Sequence, residues 1–155
     1  MLNDDTTGGG NTATGFQALF DNTTGNQNTA YGAQALDGNG IGSLNTATGY
    51  RALYGNFGGG NNTANGAYAL YSNGDGVGNT AIGYSALFSS TNGSGNTAIG
   101  YQALYSNGEE GANTAIGYQA LYRNTGTIGN GFDNTADITR SLAIRLEARA
   151  QAMVR

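Results

Sequence analysis

The side chains that could perform acid–base chemistry are few and scattered along this chain. There is no His and no Cys, which excludes imidazole catalysis, thiolate nucleophiles and the common metal-ligand sets. Within residues 11–129, carboxylates occur at Asp21, Asp37, Asp75 and the pair Glu109-Glu110. A glycosidase needs two carboxylates about 5–10 Å apart across a cleft, and no feature of the sequence marks a cleft. We therefore predict solvated turn charges, no catalytic residues and no enzyme.

A calcium site is the second chemistry to weigh. The segment Asn73-Gly74-Asp75-Gly76 is similar to the Gly/Asp repeats that bind calcium. It occurs once, however, whereas such sites recur with the repeat. We predict neither a metal nor a cofactor.

Composition limits the partners. All six basic residues are Arg, and only Arg51 and Arg123 fall in the repeated region, so we reject nucleic-acid binding there. No apolar run approaches the roughly 20 residues needed to cross a membrane, so no membrane insertion is expected. The opening Met1-Leu2-Asn3-Asp4-Asp5 is not a signal peptide. An export signal would have been removed or would lie on a longer precursor.

The elements that position these residues are set by an internal repeat. Asn-Thr-Ala recurs every seventeen residues without slippage, and each unit continues with Gly at position five and Ala-Leu at positions eight and nine, counted from the Asn. Such a unit cannot bury its own apolar side chains, so neighbouring units must stack. We expect the repeat Asn residues to form a side-chain ladder; they are Asn11, Asn28, Asn45, Asn62, Asn79, Asn96 and Asn113.

Seventeen residues suit one coil of a β-solenoid better than a helical repeat. Helix pairs need about 33 residues or more per unit, and the 28 Gly residues oppose helix formation. We predict an all-β, parallel β-solenoid (a β-roll) of seven coils over residues 11–129, after a lead-in at 1–10 and before a connector at 130–136. Thr-Ala-x-Gly is the predicted first strand of each coil, and Ala-Leu-aromatic is the predicted second.

Alternation along the first strand places Ala at position three and Gly at position five on one close-packed face. Thr at position two and the variable position four lie opposite. The invariant Leu should face inward. The predicted core stack is Leu19, Leu36, Leu53, Leu70, Leu87, Leu104 and Leu121.

Aromatic residues recur at positions six and ten of most units. As columns on a stacked solenoid they would bind a ligand such as a sugar, or pack in the core or between chains; we favour packing. Where position six is Ala, a nearby Tyr suggests compensation of volume. The candidate ligand or interface residues are Tyr50, Tyr54, Tyr84, Tyr101, Tyr105, Tyr118 and Tyr122.

The tail differs in kind from the repeats. Residues 137–155 contain no Gly, and Asp137 is a suitable N-cap for a helix. Apolar residues at helical spacing would line one face of it. Two roles remain open, a cap on the last coil and a short coiled-coil assembly element. The stripe residues are Ile138, Leu142, Leu146 and Met153.

The nine-residue segments that begin at Asn79, Asn96 and Asn113 resemble the head repeats of trimeric autotransporter adhesins. They are also similar to repeats of phage-type tail fibres and related bacterial surface fibres. The resemblance covers about residues 11–129. It implies a left-handed β-roll, three chains side by side, and an adhesive or fibre-forming role on a cell surface or virion, with a host receptor or glycan as partner.

Association is also expected on physical grounds. Each coil offers one Leu and one or two aromatics against an ordering cost of about 1–2 kcal/mol per residue. Small residues at positions three and five would let another backbone approach. We therefore predict a homo-oligomer, a trimer by resemblance, with end-to-end filaments as a further option through the open edge of a terminal coil. An alternative function is ice binding by the Thr column at position two.

Overall fold

The computed structural model describes residues 7–124 and the strand Thr135–Ala136. This part of the chain is an all-β parallel β-solenoid. The predicted helix at 137–155 lies outside the described residues.

Eight short strands stack in chain order into one parallel sheet. Each residue pairs with the residue seventeen positions later, for example Ala81 with Ala98. The last step, from Ala115 to its partner Ala136, is twenty-one residues long. Part of the predicted connector is thus a strand of the sheet. The strands are β1 (Thr12–Thr14), β2 (Thr29–Tyr31), β3 (Thr46–Thr48), β4 (Thr63–Asn65), β5 (Thr80–Ile82), β6 (Thr97–Ile99), β7 (Thr114–Ile116) and β8 (Thr135–Ala136).

The predicted second strand of each coil is wrong. The Ala-Leu-aromatic segment is a turn, and all seven repeat leucines have a left-handed backbone, with φ between 46° and 55°. Among the described residues this side has only isolated bridges, most of them at position eleven, such as Ser72 with Ser89. The coils are nevertheless linked here, because the Leu87 N–H donates to the Ala103 carbonyl of the next coil at 2.9 Å.

Burial offsets the strain of these leucines. A left-handed conformation costs a non-glycine residue about 1–2 kcal/mol. Full burial of a Leu side chain contributes about 1.5–3 kcal/mol, and every repeat leucine from Leu19 to Leu104 is completely buried. Leu121 is partly buried and packs against the same cluster. The alanines at positions three and eight fill the remaining apolar interior.

The other half of the interior is made of asparagine. The position-one Asn donates through Nδ2 to a turn carbonyl of its own coil, as Asn45 does to Gly59 at 2.8 Å. Its Oδ1 accepts the backbone N–H of the next repeat Asn, as Asn45 does from Asn62 at 2.9 Å. A second buried column at position twelve forms a true amide ladder, in which Asn73 donates to Asn56 Oδ1 at 2.7 Å.

Glycine at position five is required by contact between coils. These glycines have φ between 123° and 136°. A Cβ added from Gly15 to Gly100 would lie 2.4–2.8 Å from the backbone of the next coil. Ala at position three is buried in the core. The close approach that these small residues permit is therefore made by the chain to itself, and the expectation that they admit a second chain's backbone is wrong.

Gly83→Ala should severely destabilise the solenoid. Its Cβ would lie 2.5 Å from the Gly100 carbonyl oxygen, at a φ of 126°, so backbone strain adds to a clash that no side-chain rotation relieves. We expect a loss of more than about 3 kcal/mol, measured by thermal or urea unfolding. Gly78→Ala is the matched control, because a Cβ there meets nothing within 4 Å. Equal losses in the two variants would contradict the stacking explanation.

Candidate functional site

The surface of the solenoid carries two aromatic ladders. The outer ladder (Tyr84, Tyr101 and Tyr118, at position six) is roughly half exposed, and its rings stack with centroids 5.3 Å apart. The inner ladder, at position ten, is half-buried, with neighbouring centroids 4.9–5.2 Å apart. These spacings follow the separation of stacked strands, about 4.8 Å. The inner ladder comprises Tyr54, Tyr71, Phe88, Tyr105 and Tyr122.

Stacking determines what the ladders can do. Their planes are within 14° of parallel, so a ring inside a ladder has both faces covered by its neighbours. A sugar that needs an open aromatic face finds none within a ladder. Each ladder instead presents ring edges in a row. Continuous stacking of this kind stabilises the coil stack, each aromatic pair contributing about 0.5–1.5 kcal/mol beyond its buried area.

Two residues join the ladders in the middle of the solenoid. Tyr68 replaces the ring missing at Ala67 and lies edge-on to Tyr50, 5.3 Å away, and to Tyr84, 6.0 Å away. The Arg51 guanidinium lies 5.2 Å from the Tyr50 ring centroid and 5.5 Å from that of Tyr54. Tyr31, the other residue considered as compensation, has no ring contact in the described chain and is 62% exposed. Of these two Tyr residues, only Tyr68 therefore compensates for the missing ring of an Ala at position six.

The outer face of the sheet changes along the chain. Thr at position two and the residue at position four both point outward, as the strand burial patterns show. Position four holds Thr14, Tyr31, Thr48 and Asn65 in the first four coils. In the next three it holds Ile82, Ile99 and Ile116. The last three described coils thus present a Thr/Ile surface, and they are the coils that carry the outer ladder.

Asp21 and Asp37 lie on adjacent coils, where the Asp21 N–H donates to the Asp37 carbonyl at 2.8 Å. Asp37 occupies a position in the aromatic column and is buried, with Gln34 Nε2 3.4 Å from its carboxylate. Asp21 is exposed. A cavity of about 400 Å³ is lined by Asp21, Ile41 and Phe57 among others, but Asp37 does not line it. Burial, together with the Asp21 charge, raises the pKa of Asp37 above 3.8, against the opposing effects of Gln34 and Arg51.

The burial and hydrogen bonds of Asn73 also argue against a calcium site at residues 73–76. Asn73 is fully buried, donates to Asn56 and to the Gly76 carbonyl, and accepts from Asn79 at 3.0 Å. Its side chain is committed to the interior, so it is not free to ligate an ion. Among the described residues no group of three or more acidic, His or Cys side chains is placed to hold a metal. The same residues include no helix that is long and apolar enough to span a membrane.

Sequence reasoning overlooked two features of this surface. The position-twelve column is Asn in six of seven units, with Ser90 as the exception; that regularity was a signal for a second ladder. The position-seven column, which includes Tyr68, Ser85 and Gln102, lies between the two aromatic ladders. The change of residue type along this column could have marked it as a candidate binding site. The four tail residues predicted for assembly lie outside the described residues.

Comparison with known proteins adds no identity: no family model, no curated protein and no solved structure matches the chain.

Asp37→Asn should stabilise the protein at neutral pH. Because the folded-state pKa of Asp37 is raised, its ionised form is disfavoured in the fold. That cost is fully present above the folded-state pKa and is gone below about pH 3.8, where both states are protonated. We expect a higher unfolding midpoint for Asp37→Asn than for the parent at pH 7, and no difference near pH 3. Asp75→Asn, at an exposed turn, is the control; a pH-independent gain from Asp37→Asn would contradict the assignment.

Proposed function

We propose that the chain is a non-catalytic structural and adhesive module of an extracellular surface fibre, on a cell or a virion. The single observation that carries this proposal is the unbroken in-register stack of coils. Such a stack makes a rod whose length scales with repeat number and whose surface positions vary without disturbing the interior. The resemblance of the repeats to adhesin heads and tail fibres supports the same role.

Self-association is the second part of the proposal. Outward-facing Ile82, Ile116, Tyr84, Tyr101 and Tyr118 are each 39–55% exposed. Positions two, four and six of these coils carry no charged side chain. A partner that matches the surface over several coils needs the same axial spacing, about 4.8 Å, and a parallel copy of the chain has it. We propose a parallel homo-oligomer buried along this surface, a trimer by resemblance.

The tail and the terminal coil extend this assembly. A helix over residues 137–155, with its apolar stripe, would cap the last coil or pair with its copies in a short coiled coil. End-to-end filaments are a further form, because β1 is the first strand of the sheet in the described part of the chain and its outer edge could pair with another copy. A receptor or glycan is the proposed external partner.

Sedimentation velocity at micromolar concentration tests the assembly. We expect a species of about three times the 15.7 kDa chain mass. Ile82→Asp combined with Ile116→Asp should weaken association at least tenfold, because it places charge in a desolvated apolar interface. Thr48→Asp combined with Asn65→Asp introduces the same two charges at the same repeat position of earlier coils and should leave assembly unchanged. Leu142→Glu with Leu146→Glu tests the tail. A stable 15.7 kDa monomer of the parent chain would refute the oligomer.

Ice binding is retained as a second candidate because the Thr column points outward in register from Thr12 to Thr114. Against it, the neighbouring column is not uniform, since Tyr31 projects between Thr14 and Thr48 and Ile follows in the later coils. We expect freezing and melting points to coincide in a thermal-hysteresis assay. A measurable difference between the melting and freezing points that disappears in Thr46→Tyr would indicate that the protein binds ice.

A further inference from the structure

A cavity of about 290 Å³ opens on the aromatic surface at the fifth coil. It lies between the outer and inner ladders, where the position-seven side chains normally fill the groove. Its lining residues are Tyr68, Tyr84, Ser85, Phe88, Gln102 and Tyr105.

The cavity exists because one side chain in the column is too short. At position seven, glutamines of adjacent coils form amide pairs: Gln34 Nε2 donates to Gln17 Oε1 at 3.2 Å, and Gln119 Nε2 to Gln102 Oε1 at 2.8 Å. In every such pair the later coil donates to the earlier one. The next acceptor in this series would be residue 85, which is Ser. The column is therefore interrupted between Gln102 and Ser85.

The interruption leaves polar groups without partners. Gln102 Oε1 is occupied by Gln119, but no described residue accepts from Gln102 Nε2 or bonds the Ser85 hydroxyl. Neither atom is among the buried polar atoms that lack a partner in the described chain. Gln102 is half-buried and Ser85 is 4% exposed, and both line the cavity. A molecule bound there would therefore meet one amide donor and one hydroxyl.

The remaining lining selects a neutral ligand. No Asp, Glu or Arg lines the cavity. Burial, reinforced by the neighbouring Tyr50 phenol, raises the pKa of the Tyr68 phenol above 10, so this group is uncharged at neutral pH. A phosphate or carboxylate would lose its hydration without gaining an opposite charge.

Tyr68 can offer a ring face for an apolar contact, whereas the rings inside the ladders have both faces covered by their neighbours. Its plane is inclined by 52–86° to those of its four ring neighbours, so it is the one lining ring that belongs to neither stack. The cavity is slightly smaller than the roughly 300–1,000 Å³ of drug-sized sites, which restricts the occupant to about one ring. A pyranose combines one ring, an apolar C–H face and several hydroxyls without charge.

We propose that this cavity binds one pyranose ring of a neutral saccharide. The sugar packs its C–H face against Tyr68, and its hydroxyls accept from Gln102 Nε2 and bond with the Ser85 hydroxyl. The site would be the glycan contact of the adhesive module, and in that sense it rests on the proposed function. A single ring binds weakly, in the millimolar range, and several copies on one oligomer would add avidity.

Saturation-transfer NMR on the full chain tests the site. The probes are methyl β-D-glucopyranoside, methyl β-D-galactopyranoside and methyl α-D-mannopyranoside, and we expect transfer to at least one. Ser85→Gln should reduce transfer at least tenfold, because it completes the amide column and fills the cavity. The fold should tolerate Gln, since Gln17, Gln34, Gln102 and Gln119 adopt φ of 52–56° and Ser85 has 50°.

Two further variants separate the contributions. Ser85→Ala keeps the space and removes the hydroxyl, so it should bind several-fold more weakly than the parent chain. The second is the double variant Gln34→Ser with Ser85→Gln. Gln34→Ser opens a gap of the same kind between Ala33 and Asp37, but no aromatic rings flank it. The double variant should therefore bind the sugar no better than Ser85→Gln alone.

Three outcomes would overturn the assignment: no transfer to any of the three glycosides, transfer that Ser85→Gln leaves intact, or p-cresol that competes fully with the sugar. The last would indicate an aromatic side chain of a protein as the occupant. Sedimentation measures the proposed assembly separately, so sugar binding and the fibre role can fail independently.

Discussion

Buried asparagine amides hold the coils of this protein in register. The turn of each coil directs a backbone carbonyl inward, and an Asn from each of the two columns donates to it, as Asn45 and Asn56 do to Gly59 at 2.8 Å. The two Asn columns satisfy these carbonyls, and at 0% exposure in residues such as Asn56 and Asn79 they have no access to water. A hydrogen bond of this kind contributes only about 0.5–1.5 kcal/mol, but an unsatisfied buried partner costs about 1–3 kcal/mol. Where Ser90 replaces Asn, the contact from Asn107 lengthens to 3.4 Å.

The constant seventeen-residue period from β1 to β7 follows from this constraint. Inserting one residue in a coil would displace two amide columns, the leucine stack and the inter-coil backbone bonds together. Glycine at position fifteen shows how little room remains: a Cβ on Gly59 would lie 2.4 Å from Asn56, from Asn73 and from the Gly76 carbonyl. The interior therefore changes little from coil to coil, with Ser90 among the exceptions, and most of the variation falls at positions that face water. Those positions carry the differences between the early, polar coils and the later Thr/Ile/Tyr coils.

Departures from the repeat distinguish individual coils of the solenoid. A perfect position-seven column of glutamines would close the groove between the ladders, as Gln119 and Gln102 do at 2.8 Å. The Ser85 side chain has three fewer heavy atoms than Gln. The shorter side chain leaves the cavity and leaves Gln102 Nε2 without an acceptor in the column. Asp37 is a departure of another kind, a carboxyl group in an aromatic column, and its raised pKa follows from that location. Neither departure disturbs the pairing of the strands beside it.

Sequence periodicity alone determined which residues are neighbours, because residues seventeen apart must stack whenever identical units repeat. From it follow the register of β1 to β7, the Leu column and the alternation of Ala inward with Thr outward. Periodicity does not encode the sign of φ. Local propensity disfavours a left-handed Leu and therefore favours a strand for the Ala-Leu segment. In the fold, burial and the hydrogen bond from the Leu87 N–H to the Ala103 carbonyl outweigh that preference. Only the tertiary structure decided that this segment turns, that a second Asn column is buried, and that Ser85 leaves a cavity, because each depends on contacts between coils.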